Sequence, residues 1–172
     1  ELGLNRAESF WFEGAAGKDG KTEKVQALVV KPVNYDPAKT YPMAFLIHGG
    51  PQGQWADSWS NRWNPEVWAN AGEGFVTVLV NPHGSTGRGQ AFCDEISGDW
   101  NGQVMGDLMK GLDAALAKFP NVDPKRVAAA GASYGGYAIN WIAGHYADRF
   151  ACFICHDGVY NLDSMTTTTE EL

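Results

Sequence analysis

The sequence predicts an α/β fold, with a mostly parallel sheet and helices on both faces, three layers in all. Three observations carry this. Short apolar runs alternate with amphipathic ones along the chain, the signature of βαβ units. Two of the runs stop at Gly49-Gly50-Pro51 and Asn81-Pro82, turn-forming residues at strand ends. Farther on, Val104, Leu108, Leu112, Ala115 and Leu116 recur at helical spacing on one apolar face.

In chain order, residues 9–31 read as a hairpin. Phe10 and Phe12 flank Trp11 in alternation, and a Gly-Lys-Asp-Gly turn at 17–20 leads into Val25-Gln-Ala-Leu-Val-Val. Residues 41–48 are a short apolar run, a buried strand. A stretch with Trp55, Trp59, Trp63 and Trp68 then leads through a predicted helix to Gly74, and the i, i+4 spacing of Trp59 and Trp63 reads as helix packing. Residues 75–80 are a second buried strand. The helix at 104–119 is closed by Asn121-Val-Asp-Pro, 126–130 form a strand, 137–146 a helix and 151–155 a last strand. Right-handed crossovers set the parallel strands side by side. There is no internal repeat and no linker, so the 172 residues read as one domain with room for a core.

Composition narrows the function classes. A hydrophobic fraction of 44% and a charged fraction of 19% are ordinary for a globular domain, and no apolar run approaches a membrane span. A net charge of −7 argues against a nucleic-acid surface, which needs clustered Lys and Arg. Three cysteines (Cys93, Cys152, Cys155) are too few for a disulfide scaffold and leave the compartment open. There is no basic start followed by an apolar stretch, so no signal peptide is expected. The chain has no Asn-x-Ser/Thr acceptor, which disfavours a glycosylated secreted protein.

The chemistry centres on Gly131-Ala-Ser133-Tyr134-Gly135, a G-x-S-x-G pattern between a predicted strand and a predicted helix. A serine on such a sharp turn has its hydroxyl pushed out at the carboxyl edge of the sheet. The turn is crowded, so small residues are needed on either side; Gly131 and Gly135 supply them, and Gly136 adds relief. The helix that starts there turns free N–H groups toward developing negative charge. His48-Gly49-Gly50-Pro51 follows the first buried strand, where an oxyanion loop belongs. The expected oxyanion donors are the backbone N–H groups of Tyr134 and Gly50. These features predict the α/β-hydrolase fold with Ser133 as nucleophile.

With their neighbours, these residues resemble the catalytic domain of the prolyl oligopeptidase family, in its acylaminoacyl-peptidase and dipeptidyl-peptidase-five branch. The resemblance rests on Tyr41-Pro-Met-Ala-Phe-Leu-Ile-His-Gly-Gly-Pro-Gln, Trp63-Asn-Pro, Asn81-Pro-His-Gly-Ser-Thr-Gly and Gly98-Asp-Trp-Asn-Gly. It continues through Gly131-Ala-Ser-Tyr-Gly-Gly-Tyr, Asn140-Trp-Ile-Ala-Gly-His and His156-Asp-Gly-Val. It implies a serine peptidase that cleaves near the N-terminus of short peptides through an acyl-enzyme, without a cofactor. It also implies that residues 1–172 are the N-terminal part of the catalytic domain, without the usual β-propeller. His83 and Arg88 depart from the family pattern, and their loop is expected to tune substrate fit.

The hydrolase fold orders its triad Ser, Asp or Glu, then His. Thirty-nine residues follow Ser133, and the family's partners come after later strands, so the chain reads as a fragment truncated after the strand that follows the nucleophile helix. Asp148 and His156 flank a single strand, too near in sequence to serve as the pair. His145 reads as a helix-end residue. Rival readings remain. An esterase or lipase would use the same elbow, and a non-catalytic binding protein would account for the missing Asp and His. Cys152-Phe-Ile-Cys155-His156 matches the haem-attachment pattern, but residues three apart on a strand face opposite ways. His48, His83, His145 and His156 have no metal-ligand spacing. The tryptophans could also form a peptide- or carbohydrate-binding platform. Specificity within the family and oligomeric state stay open.

Overall fold

The computed structural model describes residues 3–17 and 19–169, so Lys18 of the predicted turn lies outside the described residues. Among them the strands are β1 (Glu8–Ala16), β2 (Thr22–Val30), β3 (Tyr41–Ile47), β4 (Val76–Asn81), β5 (Val122–Ala132) and β6 (Cys152–His156). They form one sheet in the order β1-β2-β4-β3-β5-β6. The hairpin β1–β2 is antiparallel and β2 joins β4 antiparallel, while β4, β3, β5 and β6 run parallel.

Burial follows position in the sheet. On β1, Phe10 and Phe12 are buried while Trp11 between them is exposed, the alternation of a strand with one covered face. Central β3 and β4 are buried at every residue. β6 lies at the opposite edge and is mostly exposed.

The helices are α1 (Pro65–Ala69), α2 (Gln90–Asp94), α3 (Gln103–Lys118), α4 (Tyr134–His145) and α5 (Leu162–Thr168), with a 3-10 turn at Ala147–Arg149. On one face of the sheet, Val104, Leu108 and Leu112 of α3 and Ile139 and Ile142 of α4 pack with Phe45, Val78 and Val127. Each such side chain contributes about 1.5–3 kcal/mol when fully buried. On the other face, Leu28, Leu46, Leu79 and Ala130 are covered by Ala69 of α1 with Trp55, Trp68 and Phe75. The third layer is therefore one short helix and a loop. No helix among the described residues is long and apolar enough to cross a membrane.

Three boundaries differ from the sequence reading. The helix expected through the tryptophans is only the five residues of α1, and Trp59 and Trp63 precede it, exposed and in irregular chain. The reason is Pro65: the residue before a proline is kept out of helical geometry, and Asn64 is extended at ψ 107 and caps α1 instead. The helix-packing reading of that pair is thus overturned. Helix α4 begins at Tyr134 rather than 137, because its first-turn glycines are required by packing despite their low helix propensity. Strand β5 starts early, with Val122 opposite Tyr41, and then bulges around Pro124 before Val127 pairs with Met43.

Candidate active site

The site lies where the carboxyl ends of β3 and β5, neighbours in the sheet, meet. Ser133 follows the last residue of β5 and caps α4 with φ 57 and ψ −119, a conformation that L residues rarely hold. The elbow is built from backbone contacts at van der Waals limits. A Cβ at Gly131 would fall onto the carbonyl oxygen of Gly135, and one at Gly135 would fall onto that of Ile47. At Gly136 it would sit 2.5 Å from Gly158 Cα. All three glycines are thus set by close approach, as the motif requires. Ser133 N–H donates to the carbonyl of His156 at 3.1 Å, tying the elbow to β6, and the Ser133 side chain is exposed.

Tyr134 divides its groups. Its ring is buried, its hydroxyl donates to the carbonyl of Trp100 at 2.8 Å, and burial pushes the phenol well above its ordinary pKa. Its backbone N–H begins α4, among the groups without an acceptor inside the helix.

The other side of the site is the loop after β3. Gly49 packs directly on the elbow: a Cβ there would lie 3.3 Å from Ser133 Cβ. Gly50 has φ 128, a region closed to most side chains. His48 is buried, with Nδ1 2.8 Å from the carbonyl of Gly49 and Nε2 2.9 Å from Ser85 Oγ. A carbonyl only accepts, so Nδ1 carries the proton and Nε2 accepts from the Ser85 hydroxyl. Burial, partly offset by the bond to Gly49, holds this imidazole below the ordinary histidine pKa and so favours its neutral form. Because a trans peptide points its C=O and N–H in opposite directions, pinning the Gly49 carbonyl also sets the direction of the Gly50 N–H.

Ser133 opens on a cavity of about 660 Å³ lined by Gly49, Trp55, Arg62, Trp63, Trp68 and His156, among others. Sequence reasoning did not place Arg62 here, and it assigned Trp63 to packing. The readable signal was Asn64-Pro65, which stops any helix before α1 and leaves the preceding residues to a loop.

Other expectations separate. His83 and Arg88 do not line the cavity, so the idea that their loop tunes substrate fit through these side chains is corrected. His83 is 2% exposed, with Nδ1 2.5 Å from Asp107 Oδ2 and its ring stacked on Phe92 at 4.1 Å. Arg88 donates to the carbonyl of Lys24 and lies over Trp11. His145 ends α4, as expected, stacked on Trp141. Asp148 lies in the 3-10 turn before β6 and His156 ends the strand, where it pairs with Asp157 at 3.1 Å. Cys152 and Cys155 are free thiols on β6. Among the described residues, no three His, Cys, Asp or Glu side chains are grouped as metal ligands.

Known proteins resemble this chain in sequence and in fold. Dipeptidyl-peptidase 5 of Schizosaccharomyces pombe is 48% identical over 166 residues, which cover 96% of this chain and 23% of the relative. Dipeptidyl-peptidase 5 of Trichophyton equinum is 45% identical over 172 residues, 99% of this chain and 22% of the relative. The chain thus spans under a quarter of the length of these curated relatives. A solved acylaminoacyl peptidase in complex with Z-Gly-Gly-Phe-chloromethyl ketone has the same fold, with a TM-score of 0.80 at 23% identity over 96% of this chain and 25% of that one. The pattern of the prolyl oligopeptidase family matches residues 59–172. That match takes in Arg62 and Trp63, the elbow and everything between them, and the chain belongs to the prolyl oligopeptidase family of serine peptidases.

Proposed function

We propose that this chain carries the nucleophile and oxyanion loop of a peptidase that cleaves short peptides near their N-terminus through an acyl-enzyme on Ser133. The single observation behind this is the strained elbow: Ser133 is exposed at φ 57 between β5 and α4, with Gly49 packed against it. Nothing in the packing of the core needs a serine in that conformation, whereas a nucleophile that must stand clear of the sheet does.

In this reading Ser133 Oγ attacks the peptide carbonyl, and the oxyanion is met by the N–H groups of Tyr134 and Gly50. The amine departs with a proton, and water then releases the acyl group. No histidine ring among the described residues is hydrogen-bonded to the Ser133 hydroxyl, and in this reading the general base and its carboxylate partner lie outside those residues. His48 is excluded as base because both of its ring nitrogens are engaged by Gly49 and Ser85. Its role is to hold the oxyanion loop.

A fluorophosphonate probe tests the assignment on the complete protein. Covalent labelling that maps to Ser133 and vanishes in Ser133→Ala is the expected result. Labelling that persists in the variant would remove Ser133 as nucleophile. Hydrolysis of esters but not of aminoacyl amides by the labelled protein would replace the peptidase by an esterase.

A further inference from the structure

We propose that Arg62, held against Trp63, is a carboxylate-binding residue of the cavity that Ser133 faces, selecting peptides with a carboxylate beside the reacting segment. This rests on the peptidase reading above and names the ligand chemistry of its cavity.

The backbone at this point is held in place. Ser60 Oγ accepts from the N–H groups of both Arg62 and Trp63, at 3.1 and 3.0 Å, and Asn64 then caps α1. The guanidinium centre lies 5.0 Å from the centroid of the Trp63 ring. Trp63 in turn meets the ring of His156 edge-on at 5.2 Å. Trp63 thus links the guanidinium to the end of β6, beside the elbow. A guanidinium drawn to a ring by its charge need not spend its N–H groups there, and they stay free for a planar acceptor.

Three other arginines of the chain are engaged: Arg88 with the Lys24 carbonyl, Arg126 with Glu73 and Arg149 with Asp113. Among the described residues Arg62 has no ion pair and no side-chain hydrogen bond, although the chain carries a net charge of −7. The acidic residue lining the same cavity, Asp157, is paired with His156. Trp55, Trp63 and Trp68 give the cavity apolar walls, which strengthen the field of a charge beside them. A cation so placed, with its hydrogen-bonding edge unused, matches a carboxylate, which accepts two N–H bonds from one guanidinium. In a short peptide the carboxylate is either the C-terminus or an acidic side chain.

Binding separates these sources without turnover. The complete protein with Ser133→Ala would be titrated calorimetrically with Ala-Ala-Phe as the free acid, Ala-Ala-Phe amide and Ala-Ala-Asp amide. At least one carboxylate peptide is expected to bind about tenfold tighter than Ala-Ala-Phe amide, the order of one charge-assisted hydrogen bond. A preference for the free acid assigns the C-terminus, and a preference for the aspartyl amide assigns a side chain. In either case Arg62→Gln should abolish the advantage and Arg62→Lys should keep part of it. Equal binding of all three peptides, or an advantage that survives Arg62→Gln, would overturn the proposal. A protein with intact Ser133 that binds these peptides selectively but hydrolyses none of them would refute the peptidase reading and leave the carboxylate site standing.

Discussion

His48 and His83 stand at the ends of adjacent strands, β3 and β4, and both are almost wholly buried, yet their pKa values are shifted in opposite directions. The partners of His48 are a carbonyl and a hydroxyl, both neutral, so burial prevails and lowers its pKa. For His83 burial also acts downward, but the hydrogen bond and charge of Asp107, with Glu95 and Glu23 adding, outweigh it and raise the pKa. Partner chemistry, not depth, decides which way the pKa of a buried imidazole moves. The two regions serve different ends. His48 orients a loop beside Ser133. Asp107 also accepts from Ala15 N–H at 2.7 Å and His83 N–H at 2.8 Å, so the His83 pair ties the β1 end of the hairpin to α3 and to the turn after β4.

The largest difference between the regions should appear when one partner is removed. Asp107→Ala leaves the buried His83 ring and two backbone donors without their acceptor, and a loss of about 3–5 kcal/mol in urea unfolding is expected. A loss under about 1 kcal/mol would mean that Asp107 does not hold the His83 region and that the contrast is wrong.

The matching change at the other histidine is smaller. Ser85→Ala takes one neutral hydrogen bond from His48 and should cost about 1–2 kcal/mol. It should also slow fluorophosphonate labelling of Ser133, since His48 is then free to change tautomer and release the Gly49 carbonyl. Unchanged labelling would separate His48 from the oxyanion loop.

The subtlest test is pH. His83 has a raised folded pKa, so its stabilisation is complete below the unfolded value of 6.5 and is lost as pH rises through the folded one. For His48, with a lowered folded pKa, the stabilisation is present above 6.5 and is lost as pH falls through the folded value. Urea midpoints measured from about pH 5 to 9 should therefore slope downward on the alkaline side because of His83 and on the acid side because of His48. His83→Gln should flatten only the first slope and His48→Gln only the second. A single substitution that flattened both would show that the two histidines titrate together.

Much of this was readable from the chain, and the part that was not has a physical cause. The elbow was legible because its parts are local: strand, Gly131, Ser133, Gly135 and helix lie in one unbroken stretch, Val122 to His145, and the turn needs small residues at set offsets. The hairpin and the buried strands were legible because alternation and apolar runs are local as well. The tryptophan loop was misread because i, i+4 spacing was given more weight than the proline that follows it.

The sequence by itself determined the α/β class, the strand-to-helix turn at Ser133 and the glycine loop after β3, all marked by residue types at short, fixed offsets. Only the tertiary structure decided that Arg62 and Trp63 face the cavity of a serine 70 residues farther on, and that His83 meets Asp107 across 24 residues. Those pairings depend on how separate elements dock. Side-chain periodicity within one element records which face is buried, but not which residue of another element it will meet.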